Sequence, residues 1–538
     1  MRARALCLVA LLVAVAIAPA CSSSPSTVVV PPGGAGYGGR FVYPLRFEPL
    51  TLNFVTLSDQ TSDYVARLVG DGLVDRDADL RLVPRLAESW DFTDGGRVLT
   101  FHLRGGVRFH DGAPFTSADV KYTYERVIDP KSRAIGRIDG FLPVERVETP
   151  DDLTVRVVYQ HPYAPALAAW EVPILPRHLY EKDDFLTSRY NRAPVGTGPF
   201  RFVSWETGRR IVLASNPDYW GGRPFIDTFE FQLIPSQETT LQALLAGEID
   251  YASLSPVQWK AHAQDPAFSR RFETVRYLPL FFLYIAWRGD GSTPYFADPR
   301  VRRAMTLALD RDGYVGTVLQ GAGFVPDSVF HPAVLAPDPA LPALHYDPVR
   351  TAALLDEAGW RIDPATGRRG RAGVPFQFNL LIFSGSEDHV QFAQVAQESL
   401  RRLGIDMTIQ RLDWPTLWSR LQKGHFQAAV SGLVAGVDPD DTAYGLLHSS
   451  QIKGGQNYAA FHDAQVDAWL EAGRRAVDPD ERRSIYRLID RRVAELQPYT
   501  FLFFPMTQAA MSRRVRDIRP SPRGIIAQYP GVLRLRVQ

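Results

Sequence analysis

Cysteine is almost absent. The chain has two, Cys7 and Cys21, both within the first 21 of 538 residues. The body beyond them therefore holds no disulfide and no thiolate metal site. Lysine is scarce, and the positive charge is nearly all arginine. The 60 basic and 59 acidic residues leave a net charge of +1, so no large basic field is available for binding nucleic acid through its phosphates. After Ile17 no stretch is long and apolar enough to span a bilayer. Gly-x-Ser-x-Gly, His-Glu-x-x-His and a phosphate loop are all missing. The 11 histidines are scattered; His102 and His110 lie near one strand, with no carboxylate at a ligand spacing. These absences predict no catalytic residue, no metal and no cofactor.

What is present begins with an export segment. Arg2 and Arg4 precede an apolar run from Leu6 to Ile17, and Ala18-Pro19-Ala20-Cys21 follows. Residues 1–20 read as a signal peptide. Small residues before a lone cysteine resemble the bacterial lipoprotein cleavage box, with Ala18 where leucine is usual, and predict lipidation of Cys21. An ordinary secretory signal cleaved after Ala20 is the alternative. Residues 21–39 are rich in Ser, Pro and Gly and read as a flexible linker. Gly34, Gly36 and Gly39 match the dinucleotide-loop spacing formally, but Pro31-Pro32 precedes them and a strand follows, the wrong context for that loop.

Beyond residue 40 strands and helices mix, which predicts an α/β protein. Leu99, Phe101 and Leu103 alternate with polar residues, as do Val155, Val157 and Tyr159, and Phe229 and Phe231. Helix starts are marked by Thr116-x-x-Asp119, Asp298-Pro299, Asp347-Pro348 and Asp478-Pro479. Two strongly apolar runs, 278–287 and 499–505, read as buried strands. A block entered and left through buried strands suggests an inserted second lobe. Lobe one is then residues 40–285 plus 503–538, and lobe two 286–502.

An ordered series of short motifs fills the mature chain. It includes Leu82-Val83-Pro84-x-Leu86-Ala87-Glu88-Ser89-Trp90, Phe109-His110-Asp111-Gly112-x-Pro114-Phe115-Thr116, and Gly196-Thr197-Gly198-Pro199-Phe200. Asn216-Pro217-x-Tyr219-Trp220, Asp298-x-Arg300-Val301-Arg302, Ala358-Gly359-Trp360 and Leu403-Gly404-Ile405 follow. In this order they resemble the large solute-binding proteins of ATP-driven importers for oligopeptides, dipeptides and nickel chelates. The resemblance implies two α/β lobes around a ligand cleft, an accessory subdomain in lobe one, and hinge closure on the solute. It also implies partners, a membrane permease and its ATPase, for a monomer working in the periplasm or at the outer face of the cytoplasmic membrane. The glycines of the Gly196–Phe200 turn are expected to serve positive φ. The competing classes are an envelope hydrolase, marked by a nucleophile–base pair in the cleft, and a binding protein for signalling or chaperoning.

The resemblance carries over to a few ligand residues. Trp414 matches a tryptophan that begins a lobe-two helix in peptide-binding members. Leu433 stands where a second tryptophan is usual. Gly436 stands where an aspartate clamps the ligand's ammonium group. Asp438, two residues on, substitutes only if the loop is shifted; a plain Asp-Pro turn is the simpler reading. From lobe one, Asp59, Gln60 and Thr61 match a loop bordering the cleft and offer polar contacts. Missing the clamp, the site is expected to favour blocked or modified peptides, oligosaccharides or another polar solute over free-amino peptides.

Overall fold

The computed structural model describes residues 36–134 and 137–538. The signal peptide, Cys21 and Gly34 lie outside the described residues. The helix starts read from sequence are all in place. Thr116 and Asp119 form a capping box for Ser117–Ile128, whose Val120, Tyr124 and Val127 are buried. Asp298, Asp347 and Asp478 each cap a helix that has proline in its first turn, where a missing N–H costs nothing.

The first lobe joins two four-stranded sheets over one core. One runs in the order Arg40–Leu45, Thr228–Leu233, Arg210–Ser215, Phe200–Glu206. The other, the accessory sheet, runs Ala87–Thr93, Val98–Leu103, Thr154–Tyr159, Val144–Asp151. Phe41, Phe229 and Phe231 of the first meet Phe101, Val155 and Trp170 of the accessory part in a continuous apolar cluster. The chain's end returns here: Thr507–Ser512 pairs between Tyr251–Ser253 and Phe272–Tyr277.

The second sheet has six strands, ordered Gly323–Phe324, Tyr499–Pro505, Phe281–Trp287, Ala428–Val434, Gln377–Phe383, Asp406–Leu412. Both apolar runs are strands at its centre, paired antiparallel, with Trp287 Nε1 donating to Thr500 Oγ1 at 2.9 Å. The boundaries at 285/286 and 502/503 drawn from sequence fall inside Phe281–Trp287 and Tyr499–Pro505, which both belong whole to this sheet. The chain passes between lobes just outside it, at 278–280 and at Met506. Helices cover both faces: Pro299–Leu307, Pro348–Glu357 and Glu387–Arg402 on one, Trp414–Lys423, Pro439–Leu447 and Pro479–Leu496 on the other.

Candidate functional site

Three mutually parallel strands of the second lobe end at Phe383, Leu412 and Val434, on the sheet edge where the chain crosses to the first lobe. In open α/β sheets ligands bind outside the carboxyl ends of the strands. Each strand here leads into a helix whose first N–H groups are capped by a side chain. Ser386 accepts from His389 N, Asp413 from Thr416 N, and Asp438 from Asp440 N. Three capped helix N-termini therefore converge on this edge.

Trp414 opens the second of these helices. Asp413 does the capping, so the indole stays at the surface, 42% exposed. Its ring lies 5.7 Å from Phe383 and stacks at 6.0 Å on Trp418, exposed to the same degree. Trp418 in turn lies 6.2 Å from Tyr458. Trp418 went unread in the sequence, although its i,i+4 spacing from Trp414 is the signal that places them together. Leu433 is half-buried in register with Phe282, and next to it Val434 and Phe281 are exposed.

Gly436 is fixed by its surroundings. Its N–H donates to Thr442 Oγ1 at 2.9 Å, and a Cβ there would lie 2.0 Å from Asp441 Cβ. No side chain fits in this conformation. Asp438 is the N-cap of Pro439–Leu447, and both its oxygens are held by Arg482 at 2.7 and 2.6 Å. The Asp-Pro turn reading describes it; as a replacement ammonium clamp it is already spent. Asp440, two residues on, is buried. It pairs with Arg474 at 2.9 Å and accepts from Tyr486 Oη at 3.0 Å. Burial pushes its carboxyl up to about 6 against the pull of Arg474. Asp441 is exposed, yet enclosure by the surrounding protein, with the charges of Asp438 and Asp440, raises its pKa, while Arg76 of the first lobe pulls it down.

The first-lobe wall is the helix Gln60–Val69. Asp59 is its N-cap, accepting from Ser62 N at 2.8 Å and from the Thr61 and Ser62 hydroxyls at 2.5 Å. Asp59 and Thr61 thus satisfy each other, and Gln60 alone of the three is exposed. Gly196 and Gly198 seat this helix. Their φ values are not positive; instead a Cβ on Gly196 would meet Val69 O at 2.1 Å, and Gly198 N donates to that carbonyl at 2.8 Å. Close approach, rather than turn conformation, requires the glycines.

Further along this helix lies a charge network. Arg67 and Arg137 bind Asp63 at 2.6 and 3.2 Å, Arg523 reaches Asp75 and Glu171 at 3.2 and 3.3 Å, and Arg76 holds Glu171 at 2.7 Å. Burial pushes the Asp63 carboxyl up, but Arg67 and Arg137 outweigh it and hold it below the usual range. Only the Asp63–Arg67 pair has a sequence signal, its i,i+4 spacing.

Among the described residues no cluster of three or more His, Cys, Asp or Glu could hold a metal. One hydroxyl–imidazole contact bears on hydrolysis: Ser450 Oγ donates to His448 Nδ1 at 2.8 Å. The same nitrogen accepts Ser450 N at 3.2 Å, so this is the cap of a short turn.

Two lobes, crossings just outside two central strands and a cleft at the carboxyl edge define a hinged solute binder. Residues 81–455 match the model of the bacterial extracellular solute-binding proteins, family 5, and the chain belongs to that family. It is 30% identical to the oligopeptide-binding protein AppA of Bacillus subtilis, over 97% of each chain. It is 33% identical to protein XP55 of Streptomyces lividans, over 80% of this chain and 78% of that one. The solved structure of Bacillus subtilis AppA with a nonapeptide superposes with a TM-score of 0.79 at 28% identity, covering 94% of this chain and 99% of the other. The family consists of extracellular binding proteins, and among the described residues no helix is long and apolar enough to cross a membrane.

Proposed function

We propose that this solute-binding protein is the capture component of an ATP-driven importer, taking a peptide-like or other polar organic solute between its lobes and presenting it to a membrane permease. It works as a monomer in the periplasm or at the outer face of the cytoplasmic membrane, anchored by lipid on Cys21. The oligopeptide-binding relative supports the peptide-like class. The observation that carries the reading is the pair of exposed indoles, Trp414 and Trp418, at the carboxyl edge of the second-lobe sheet, with the Asp63–Arg67–Arg137 network on the first lobe. Indole faces stack on flat or apolar groups, and guanidinium groups bind carboxylates and carbonyls. With Gly436 closed to any side chain and Asp438 paired to Arg482, the edge offers no free carboxylate at either position for a ligand's ammonium group. A blocked or modified peptide therefore suits it better than one with a free amino end.

Closure follows if the solute binds the closed state more tightly than the open one. Native mass spectrometry of the purified protein identifies what it carries. Added to stripped protein, that compound should raise the melting temperature and contract the radius of gyration in X-ray scattering. Trp414→Ala should weaken binding about tenfold, a loss of about 1.4 kcal/mol. An unchanged radius at saturation would count against closure. Cys21→Ala should release the protein from membranes.

A further inference from the structure

Beside the two central strands lies a cavity of about 280 Å³ lined by none of the candidate-site residues. It sits inside the proline-rich loop that follows the edge strand Gly323–Phe324. That strand pairs with Phe504 and Pro505, and Met506 N, in the crossing segment, donates to Ala322 O at 3.1 Å. The Gly323 end of the strand thus lies at the cleft edge, and the loop with its cavity runs inward from it along the flank of the second lobe. Its loop is built firmly: the Arg311 guanidinium donates to the carbonyls of Pro326, Phe501 and Leu344 at 3.2, 2.7 and 2.5 Å. Phe324, Phe330, Pro337 and Leu341 give apolar walls, and Asp327 and Asp338 give the polar ones.

The charges at the cavity are unequal. Asp338 is paired with Arg491 at 2.7 Å. Asp327 accepts only Leu344 N, at 3.2 Å, and has no ion pair among the described residues. Arg311 is the cation nearest in influence, but its donors are turned to the three carbonyls. Asp490, buried behind the loop, accepts Val329 N at 3.3 Å and has no basic partner either. An apolar shaft with an uncompensated carboxylate suits a group with an aliphatic stem and a cationic end, since such side chains bury the stem and pair the head. A volume of this size holds a single side chain rather than a whole solute.

We propose that this cavity, inward of the cleft edge on the flank of the second lobe, is a subsite for the lysine or arginine side chain of a peptide-like ligand, its stem on Phe324 and Phe330 and its charge at Asp327. The proposal rests on the peptide-like reading above. The mature protein is incubated with a mixed library of N-acetylated tripeptide amides, and retained peptides are read by mass spectrometry. Basic peptides should be enriched about tenfold, and the enrichment should vanish in Asp327→Asn. Leu341→Trp, which fills the cavity from its wall, should do the same and keeps the test open if Asp327→Asn misfolds. Peptides retained without basic enrichment, or enrichment that survives both variants, would overturn the subsite and leave the peptide-like reading standing. Retention of no peptide at all would overturn that reading. Saturation-transfer NMR with Nα-acetylarginine amide separates the two failures: transfer that depends on Asp327 keeps the cavity as a cation site, and its absence removes it.

Discussion

On the first lobe the cleft side is read at Gln60–Val69, where Asp63, Arg67 and Arg137, each largely covered, neutralise one another. On the second lobe the carboxyl edge is indole and aliphatic, with Trp414, Trp418, Val434 and Phe281 exposed, and the Asp438 and Asp440 carboxylates are turned inward to Arg482 and Arg474. One wall offers charge that is already shared, and the other offers apolar area with the Asp438 and Asp440 charges locked away. A ligand meeting both must stack on one side and exchange polar contacts on the other. The same contrast governs the carboxyls. Asp63, among arginines, is held low, whereas Asp490 of the second lobe has no basic partner, and burial pushes it up to about 7.

The inward pairing is where the contrast breaks most heavily. Arg482→Ala leaves the nearly buried Asp438 carboxylate without its partner, at a cost of about 3–5 kcal/mol. Thermal unfolding should show the loss, while charge reversal of an exposed surface arginine such as Arg401 should shift the melting point little. The Asp490 carboxyl gives an effect of similar size and opposite sign. Burial pushes it from an ordinary value near 3.8 up to about 7 in the folded protein, so it favours folding below about pH 4, and that contribution is lost as pH rises through about 7. His110, His331 and His389, each pushed down to about 4 by burial, run the other way between pH 4 and 6.5. A difference measurement cancels them. Asp490→Asn should match the parent at pH 4 and exceed it by up to about 4 kcal/mol at pH 8.

The sequence carried the frame of this molecule a long way. Every proline-marked helix start read from it is an N-cap, because an Asp before a Pro satisfies the first free N–H groups locally. The central strands 281–287 and 499–505 were legible because a strand covered on both faces has no reason to alternate. The cleft was legible only where it is local. Trp414 and Asp438 stand out in a short motif, but Arg482, which takes Asp438 out of play, is 44 residues away. Arg137 reaches Asp63 of the helix Gln60–Val69 from 74 residues away. Long-range pairing of charges leaves no periodicity to read.

Two smaller substitutions sharpen the comparison. Gly436→Asp restores the residue type expected of an ammonium clamp at a position with no room for a Cβ, so it should cost about 1–3 kcal/mol in stability. Titration with free-amino tripeptides should show no gain in affinity. Asp59→Ala removes an N-cap from the first-lobe wall and should lower stability by about 1 kcal/mol, leaving affinity within about twofold because Asp59 is already occupied by Thr61 and Ser62.

Paired calorimetric titrations with an N-acetylated tripeptide library and the same library with free amino ends test the central claim, that this cleft binds without an ammonium clamp at Gly436 or Asp438. The blocked peptides should bind at least as tightly as the free ones, and Arg482→Lys, which keeps the charge beside Asp438, should leave that order unchanged. Submicromolar binding of free-amino peptides, lost in Asp438→Ala, would show that Asp438 leaves Arg482 to take the ligand's ammonium group and would contradict the account.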